Sequence, residues 1–236
     1  PDLGRITSGV LRDWPLPPVG ADGENRGGTL IVAGSAQTPG SAILASLAAL
    51  RSGAGPLCIA TARRVAATVA LAVPESRRET PRGGVARLAT GPCAGTFDAM
   101  LVGPGMQDAD ATARLIQGLR ARFPRALLQL DACAISALEN ETVPWDRFAE
   151  GPVLITPQAT ELASLAGSSP EEVVANSVRV ALKAARQWRV TVLLKGATAH
   201  VATPDGQHWS HPNGGAVRAT SGAGDVLSGI VAGLLA

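Results

Sequence analysis

Near its C-terminus the chain reads Ala219-Thr220-Ser221-Gly222-Ala223-Gly224-Asp225, and an apolar stretch runs on to Ala236. A loop of small residues ends where a helix begins. The first backbone N–H groups of a helix have no partner within it and can face an anion. Gly222 and Gly224, with Ala223 between them, let backbone approach a phosphate closely. Asp225 falls in the first helical turn. Two readings of it stay open on the local pattern. It is a helix-terminal acid, worth about 0.3–1 kcal/mol through the dipole, or a general base that deprotonates a hydroxyl as it attacks a phosphoryl group.

Three further side chains could join that chemistry. Lys195 ends the apolar run Val190-Thr-Val-Leu-Leu194 in a chain whose only other lysine is Lys183. It can neutralise phosphate oxygens as a point charge, or it reaches solvent from a strand end. Glu161 can hold Mg²⁺ directly or through water, or it is a helix-surface acid. Asp131 follows the run Ala126-Leu-Leu-Gln-Leu130. At a strand end it faces a ligand cleft or caps the next helix.

Alternating segments position these groups. Short apolar runs at 29–33, 56–60, 98–102, 126–130, 152–156 and 190–194 read as strands. Helical patterns lie between them at 41–51, 62–72 and 108–122, a short one follows Pro157-Gln-Ala-Thr-Glu161 to Ala166, and a longer one runs from Ser169-Pro170 to about Trp188. Thr198–Thr203 and Gln207–His211 flank Pro204-Asp-Gly206, a hairpin turn. The last helix carries Val226, Leu227, Ile230, Val231, Leu234 and Leu235 at helical spacing. Alternation of this kind predicts an α/β fold with a doubly wound, mostly parallel sheet and a hairpin. Residues 1–28 read as an arm that covers the domain with Trp14 and Leu16, and residues 29–236 as one domain. The sequence stops inside its last helix, so a missing or disordered tail is expected.

Composition narrows the partners. The net charge is +2 over 236 residues, with 3% aromatics and no Tyr. The pairs Arg63-Arg64 and Arg77-Arg78 have no interleaved aromatics and read as solvated surface, not a nucleic-acid face. The three cysteines, Cys58, Cys93 and Cys133, make no Cys-x-x-Cys, so no disulfide framework or zinc site is expected, and Cys58 reads as plain core. No apolar run reaches membrane-spanning length and no signal peptide is visible, so no membrane partner and a cytoplasmic setting are expected. His200, His208 and His211 do not read as a metal site. The loop Gly34–Gly40 lacks both dinucleotide and Walker spacings. It reads as a tight turn or as one wall of a substrate cleft.

Several elements together resemble one family. Thr220-Ser-Gly-Ala-Gly-Asp225 resembles the anion-hole signature of the ribokinase-like superfamily, and Thr156-Pro-Gln-Ala-Thr-Glu161 its Thr-Pro-Asn-x-x-Glu element. Further segments in order are Leu11-Arg-Asp-Trp-Pro-Leu-Pro17, Gly27-Gly-Thr-Leu-Ile-Val-Ala-Gly-Ser35, Pro39-Gly-Ser-Ala42, Arg51-Ser-Gly-Ala-Gly55, Val102-Gly-Pro-Gly105, Asp131-Ala132 and Leu194-Lys-Gly-Ala197. They resemble the ADP-dependent NAD(P)H-hydrate dehydratases.

The resemblance implies a three-layer α/β/α fold and removal of water from (6S)-hydrated NADH or NADPH. ADP, or possible ATP in its place, is the phosphoryl donor, and Mg²⁺ assists. It implies Asp225 as base, with Lys195, Gly196, Ala197, Thr198, Gly222, Ala223 and Gly224 at the nucleotide. Ala42, Gly103, Gly105, Asp131, Gln158 and Asp225 meet the hydrate, and Glu161 the metal. The chain departs where the family has Thr-Pro-His-Pro-Gly-Glu, with Gln158-Ala159-Thr160 for His-Pro-Gly. It departs again at His211-Pro-Asn-Gly-Gly-Ala216, where the family has Asn-Pro-Thr-Gly-Asn-Pro. Gln can hydrogen-bond a substrate but cannot carry a proton as His does. A kinase of the same fold acting on a hydroxymethylpyrimidine, hydroxyethylthiazole or sugar shares Asp225 and Glu161. A non-catalytic nucleotide-binding protein is the reading from another class. Apolar helices of this kind often pair, so a homo-oligomer is expected.

Overall fold

The structure, a computed structural model, describes residues 4–13, 27–79, 97–139, 151–212 and 220–236. Its strands are β1 (Thr29–Val32), β2 (Leu57–Ala60), β3 (Arg77–Glu79), β4 (Ala99–Val102), β5 (Leu127–Leu130), β6 (Val153–Ile155), β7 (Thr191–Leu194), β8 (Ala199–Ala202) and β9 (His208–His211). They form one sheet in the order β3-β2-β1-β4-β5-β6-β7-β8-β9. Pairing is parallel from β3 to β7 and antiparallel through the hairpin β8–β9. Chain order reverses between β1 and β4, the point where open parallel sheets leave a crevice for ligands.

Helices cover both faces. They are α1 (Ser8–Arg12), α2 (Pro39–Ser52), α3 (Ala66–Ala72), α4 (Ala109–Arg122), α5 (Cys133–Ser136), α6 (Ala159–Ala166), α7 (Pro170–Ala175), α8 (Ser177–Trp188) and α9 (Ala223–Leu235). Strand alternation divides the core. Leu30, Val32, Met100, Val102, Leu128 and Leu130 pack on one face with Ile116, Leu119 and Leu162 of α4 and α6. Ile31, Ile59 and Leu101 pack on the other with Ala42, Ala45 and Ala49 of α2, Val69 of α3 and Ala232 of α9. β1, β2 and β4 are therefore buried throughout, as strands sandwiched between helical layers must be.

Four features add to those expectations or change them. α9 does not bury its large residues. Its buried face is Ser228, Gly229, Ala232 and Gly233, while Leu227, Ile230, Leu234 and Leu235 turn outward. A Cβ on Gly229 would collide with the Ala45 carbonyl, and one on Gly233 with Ser52 and the Ala49 carbonyl. Small residues one turn apart thus bring α9 against α2, and Ser52 Oγ donates to the Ile230 carbonyl at 3.2 Å. Second, the long helix breaks at Asn176, whose φ of −128° is not helical. Asn176 Nδ2 bonds back to the Glu172 carbonyl, and such side-chain competition is a known helix interrupter. Third, Arg77 is exposed, in keeping with solvated surface, but it and Arg78 lie in an edge strand, β3, paired to β2. Fourth, Cys58 is buried as expected but is disulfide-bonded, whereas Cys133 is free.

The hairpin edge is closed from the N-terminus. The Ile6 N–H donates to the Ser210 carbonyl at 2.8 Å and the Ser210 N–H to the Gly4 carbonyl at 3.3 Å, which covers the otherwise open β9. His211 Nδ1 lies 3.1 Å from the Ile6 carbonyl. Inside the hairpin His200 and His208 stack and share a hydrogen bond of 3.1 Å, and His200 Nε2 reaches Ser177 Oγ. Burial, then the neighbouring His208, lowers the His200 pKa. Trp14, Leu16 and most of the segment His211–Ala216 lie outside the described residues.

Candidate active site

β5 places the first group. Leu128 and Leu130 face α4, so Gln129 faces α9, where its Nε2 donates to the Ser228 carbonyl at 3.1 Å. One residue past the strand, Asp131 emerges on that same face. It is 2% exposed. Lys195 Nζ and Thr156 Oγ1 donate to its Oδ1 at 2.7 and 2.8 Å, and Ser228 Oγ to its Oδ2 at 2.6 Å. Asp131, expected at the substrate, thus spends both oxygens inside the protein and ties the ends of β5, β6 and β7 to α9. Lys195 is correspondingly no solvent-seeking side chain. Its ion pair is largely buried, and its ammonium keeps further donors for another acceptor. The next residue, Ala132, has φ of 48°, a conformation that costs a non-glycine residue about 1–3 kcal/mol and collects at functional sites.

α9 supplies the second group. Gly222 caps it with φ of 82°, the left-handed turn that glycine adopts without penalty. The Val226 N–H donates to the Gly222 carbonyl, and the Ala223 N–H turns back to the Thr220 carbonyl. Ala223 therefore offers its amide less than the neighbours it was grouped with. Gly224 and Asp225 follow in the first turn, where a helix supplies no acceptor for N–H groups. A Cβ on Gly224 would meet nothing within 4 Å. Glycine in a helix costs about 1 kcal/mol against alanine, and no protein atom requires it here. A ligand approaching closely does give a reason.

Asp225 sits half-buried between these parts. Burial pushes its carboxyl pKa above the usual carboxylate value. A hydrogen bond from Ser41 opposes this, the Asp131 charge adds to it, and the Lys195 charge opposes it. A carboxylate held in this way is a stronger base than one in water.

The third part is a pair of crossed loops at the switch point. The Gly34 N–H donates to the Pro104 carbonyl at 2.7 Å, and Thr38 Oγ1 to the Gly105 carbonyl at 2.6 Å. A Cβ on Gly105 would lie 2.6 Å from Ser41 Cβ, and one on Gly103 would collide with the Asp131 carbonyl. Gly103 and Gly105 thus press the end of β4 against the site. Ala42 is fully buried, so its side chain offers a ligand no surface. Gln158 is exposed at the start of α6, and its N–H donates to Glu161 Oε2 at 2.7 Å. Gly196 and Ala197 are exposed and Thr198 half-buried in the turn after β7, whose first N–H, on Lys195, donates to the Pro157 carbonyl.

Sequence reasoning named Asp131, Lys195 and Asp225 but gave no role to the hydroxyls that join them. Ser228 follows Asp225 by three positions, one helical turn on the same face, a spacing that could have been read. Ser41 and Thr156 gave no comparable signal, because only the fold brings them to their carboxylates.

Solved structures share this fold. A ribokinase-like superfamily protein from Enterococcus faecalis matches it with a TM-score of 0.79, at 24% identity over 97% of this chain and 78% of that one. The model of the NAD(P)H-hydrate dehydratase family matches residues 29–236, and the chain belongs to that family. It is 40% identical to the ADP-dependent (S)-NAD(P)H-hydrate dehydratase of Xanthomonas campestris, over 100% of this chain and 81% of the relative. The ADP/ATP-dependent NAD(P)H-hydrate dehydratase of Bacillus subtilis, co-crystallized with ATP/Mg²⁺, superposes with a TM-score of 0.84. It is 30% identical over 97% of this chain and 79% of that one. The chain also spans 40% of the length of a bifunctional NAD(P)H-hydrate repair enzyme from Moorella thermoacetica.

Proposed function

We propose that the chain dehydrates (6S)-hydrated NADH and NADPH at the expense of ADP, and that Asp225 is the base. Asp225 takes the proton from the hydroxyl on C6 of the hydrated ring. That oxygen attacks the terminal phosphorus of ADP, a P–O bond forms, and the bond to the leaving AMP breaks. The ring nitrogen then pushes out the new phosphate ester. The C6–O bond breaks, a proton leaves C5, and the products are NAD(P)H, AMP and phosphate. The N–H groups of Gly224 and Asp225 face the transferring phosphate, and Lys195, held by Asp131, faces its charge. Gly196, Ala197, Thr198, Gly222 and Ala223 line the nucleotide's path. Gly105 and Gln158 line that of the hydrate, and Ala42 and Gly103 shape it from beneath by packing behind Ser41 and Asp131.

Glu161 fits a magnesium ion in one way. Its Oε2 is taken by the Gln158 N–H, which leaves Oε1 for a metal-bound water. Magnesium is often held by one or two carboxylates, retained waters and substrate phosphates. When bound, it neutralises charge on the phosphates.

The observation that carries this reading is the place of Asp225: a carboxylate with a raised pKa, in the open first turn of a helix, beside a glycine no protein atom fills. We place the reaction in the cytoplasm; no helix of the described residues is long and apolar enough to cross a membrane. The outward apolar residues of α9 support a homo-oligomer. The test is to mix hydrated NADH, ADP and Mg²⁺ with the protein and follow reduced-nicotinamide absorbance together with AMP and phosphate. Recovery of all three is expected. A stable phosphate ester without recovered absorbance would make the chain a kinase, and nucleotide binding without turnover a binding protein.

A further inference from the structure

Two histidines are buried in the hairpin that follows β7. His200 of β8 is 8% exposed and His208 of β9 is 5%. Their rings stack with centroids 5.3 Å apart, and His200 Nδ1 lies 3.1 Å from His208 Nε2. On its other side His200 Nε2 lies 3.0 Å from Ser177 Oγ, at the start of α8. A polar chain from Ser177 through His200 to His208 thus joins a helix to both strands of the hairpin. With neutral rings the chain closes. Whichever nitrogen of His200 carries the proton, one donates and the other accepts. Only one proton fits between Nδ1 and Nε2, so two imidazolium rings cannot share that bond.

His200 is placed to act on the candidate active site. It pairs across the sheet with Leu194 at the end of β7. The turn Lys195–Thr198 joins those two strands, and its Lys195 gives its ammonium to Asp131. The elements packed around His200 carry more cations than acids. α8 bears Arg179, Lys183 and Arg186, the N-terminal segment bridged to Ser210 bears Arg5, and β7 is uncharged before Lys195. Of the acids, Glu172 pairs with Arg179, and Asp205 bonds Thr203 and Gln207. His211 lies three positions beyond His208, on the opposite strand face, and meets the Ile6 carbonyl. Burial, then His208, holds the His200 pKa below the ordinary histidine value, so the fold favours the neutral ring.

We propose that His200 is a positioning residue for the nucleotide: its neutral bonds to Ser177 and His208 hold the turn Lys195–Thr198 in the form that binds ADP, and protonation of the pair releases that turn. The inference rests on the reading of Lys195–Thr198 as the nucleotide turn. A histidine that folding keeps neutral contributes stability above its unfolded value, about 6.5, and that stability is lost progressively as pH falls below it. ADP binds the ordered turn, so its apparent affinity falls with the fraction of protein in that form.

The test measures ADP binding by calorimetry from about pH 7.5 to about pH 5.5, for wild type and for His200→Gln, whose amide hydrogen-bonds but does not titrate. Protonation of ADP itself is common to both proteins. The two should bind alike at the upper pH. At the lower, one unit below the free histidine value, wild type should have lost up to about tenfold more affinity than the variant. Parallel profiles would overturn the proposal. Wild type alone gives a second reading, which holds even if His200→Gln does not fold. The imidazole NMR signals of His200 and His208 should titrate at lower pH with saturating ADP than without it, because such coupling is reciprocal. Unmoved midpoints would overturn the proposal. Failure of the dehydratase reading is distinct. There ADP binds and the histidine effects appear, but no reduced nicotinamide returns from its hydrate.

Discussion

Asp225 is a group whose chemistry works against the fold. Its pKa is raised above the ordinary carboxylate value, first by burial. The folded protein therefore favours its protonated form. The stability this confers is present below the unfolded-state pKa and is lost as pH rises through the raised one. At neutral pH the ionised side chain is a cost. Asp225→Asn should then melt at a higher temperature than wild type at neutral pH, with the gap closing as the pH falls below the carboxylate range. Turnover should drop by about 10²–10⁴, the usual contribution of a positioned base. The same linkage governs the pH profile. The acid limb of kcat/KM should lie above the ordinary carboxylate range. The bond from Ser41 lowers the Asp225 pKa, so Ser41→Ala should move that limb to higher pH. Gly224 tests the neighbouring cradle. Gly224→Ala meets no protein atom within 4 Å and improves helix propensity, so it should stabilise the chain by about 0.5–1 kcal/mol while weakening ADP binding. A melt and a titration on the same sample check both.

Elements were legible to the extent that their periodicity reports packing. The strands β1, β2, β4, β5, β6 and β7 follow from short apolar runs between turn residues, and the hairpin follows from Pro204-Asp-Gly206. α9 shows where that logic fails. Leu227, Ile230 and Leu234 have the spacing of a buried stripe, yet Gly229 and Gly233 mark the packed face. A hydrophobicity pattern weights side-chain size, whereas this contact is made by backbone against backbone. Gly229→Ala should therefore destabilise the chain by about 1–3 kcal/mol through overpacking, read as a lower denaturation midpoint. β3 was hidden because Arg77 and Arg78 look like surface, and edge strands tolerate charge. The break at Asn176 depends on a side chain choosing the backbone over the helix, which propensity alone does not settle.

At the scale of the whole molecule, strand ends converge on one edge. Asp131 gathers Lys195, Thr156 and Ser228 from β7, β6 and α9, and Ser41 of α2 reaches Asp225 across the same space. The sequence made Asp225, Lys195 and Asp131 visible as strand-end or helix-start residues. It could not assign Asp131 to a buried positioning role, because burial depends on the layers that close over it. Nor could it show that His200 meets His208, which depends on the register of β8 against β9.

The central claim is that the substrate's own hydroxyl oxygen attacks phosphorus. The direct measurement uses hydrated NADH with a heavy-oxygen label on the C6 hydroxyl, turned over with ADP and Mg²⁺, and locates the label by mass spectrometry. Attack by that oxygen puts the label in the released inorganic phosphate and none in AMP. Label recovered in water instead, with reduced nicotinamide restored, would show that water left without phosphoryl transfer and would contradict it.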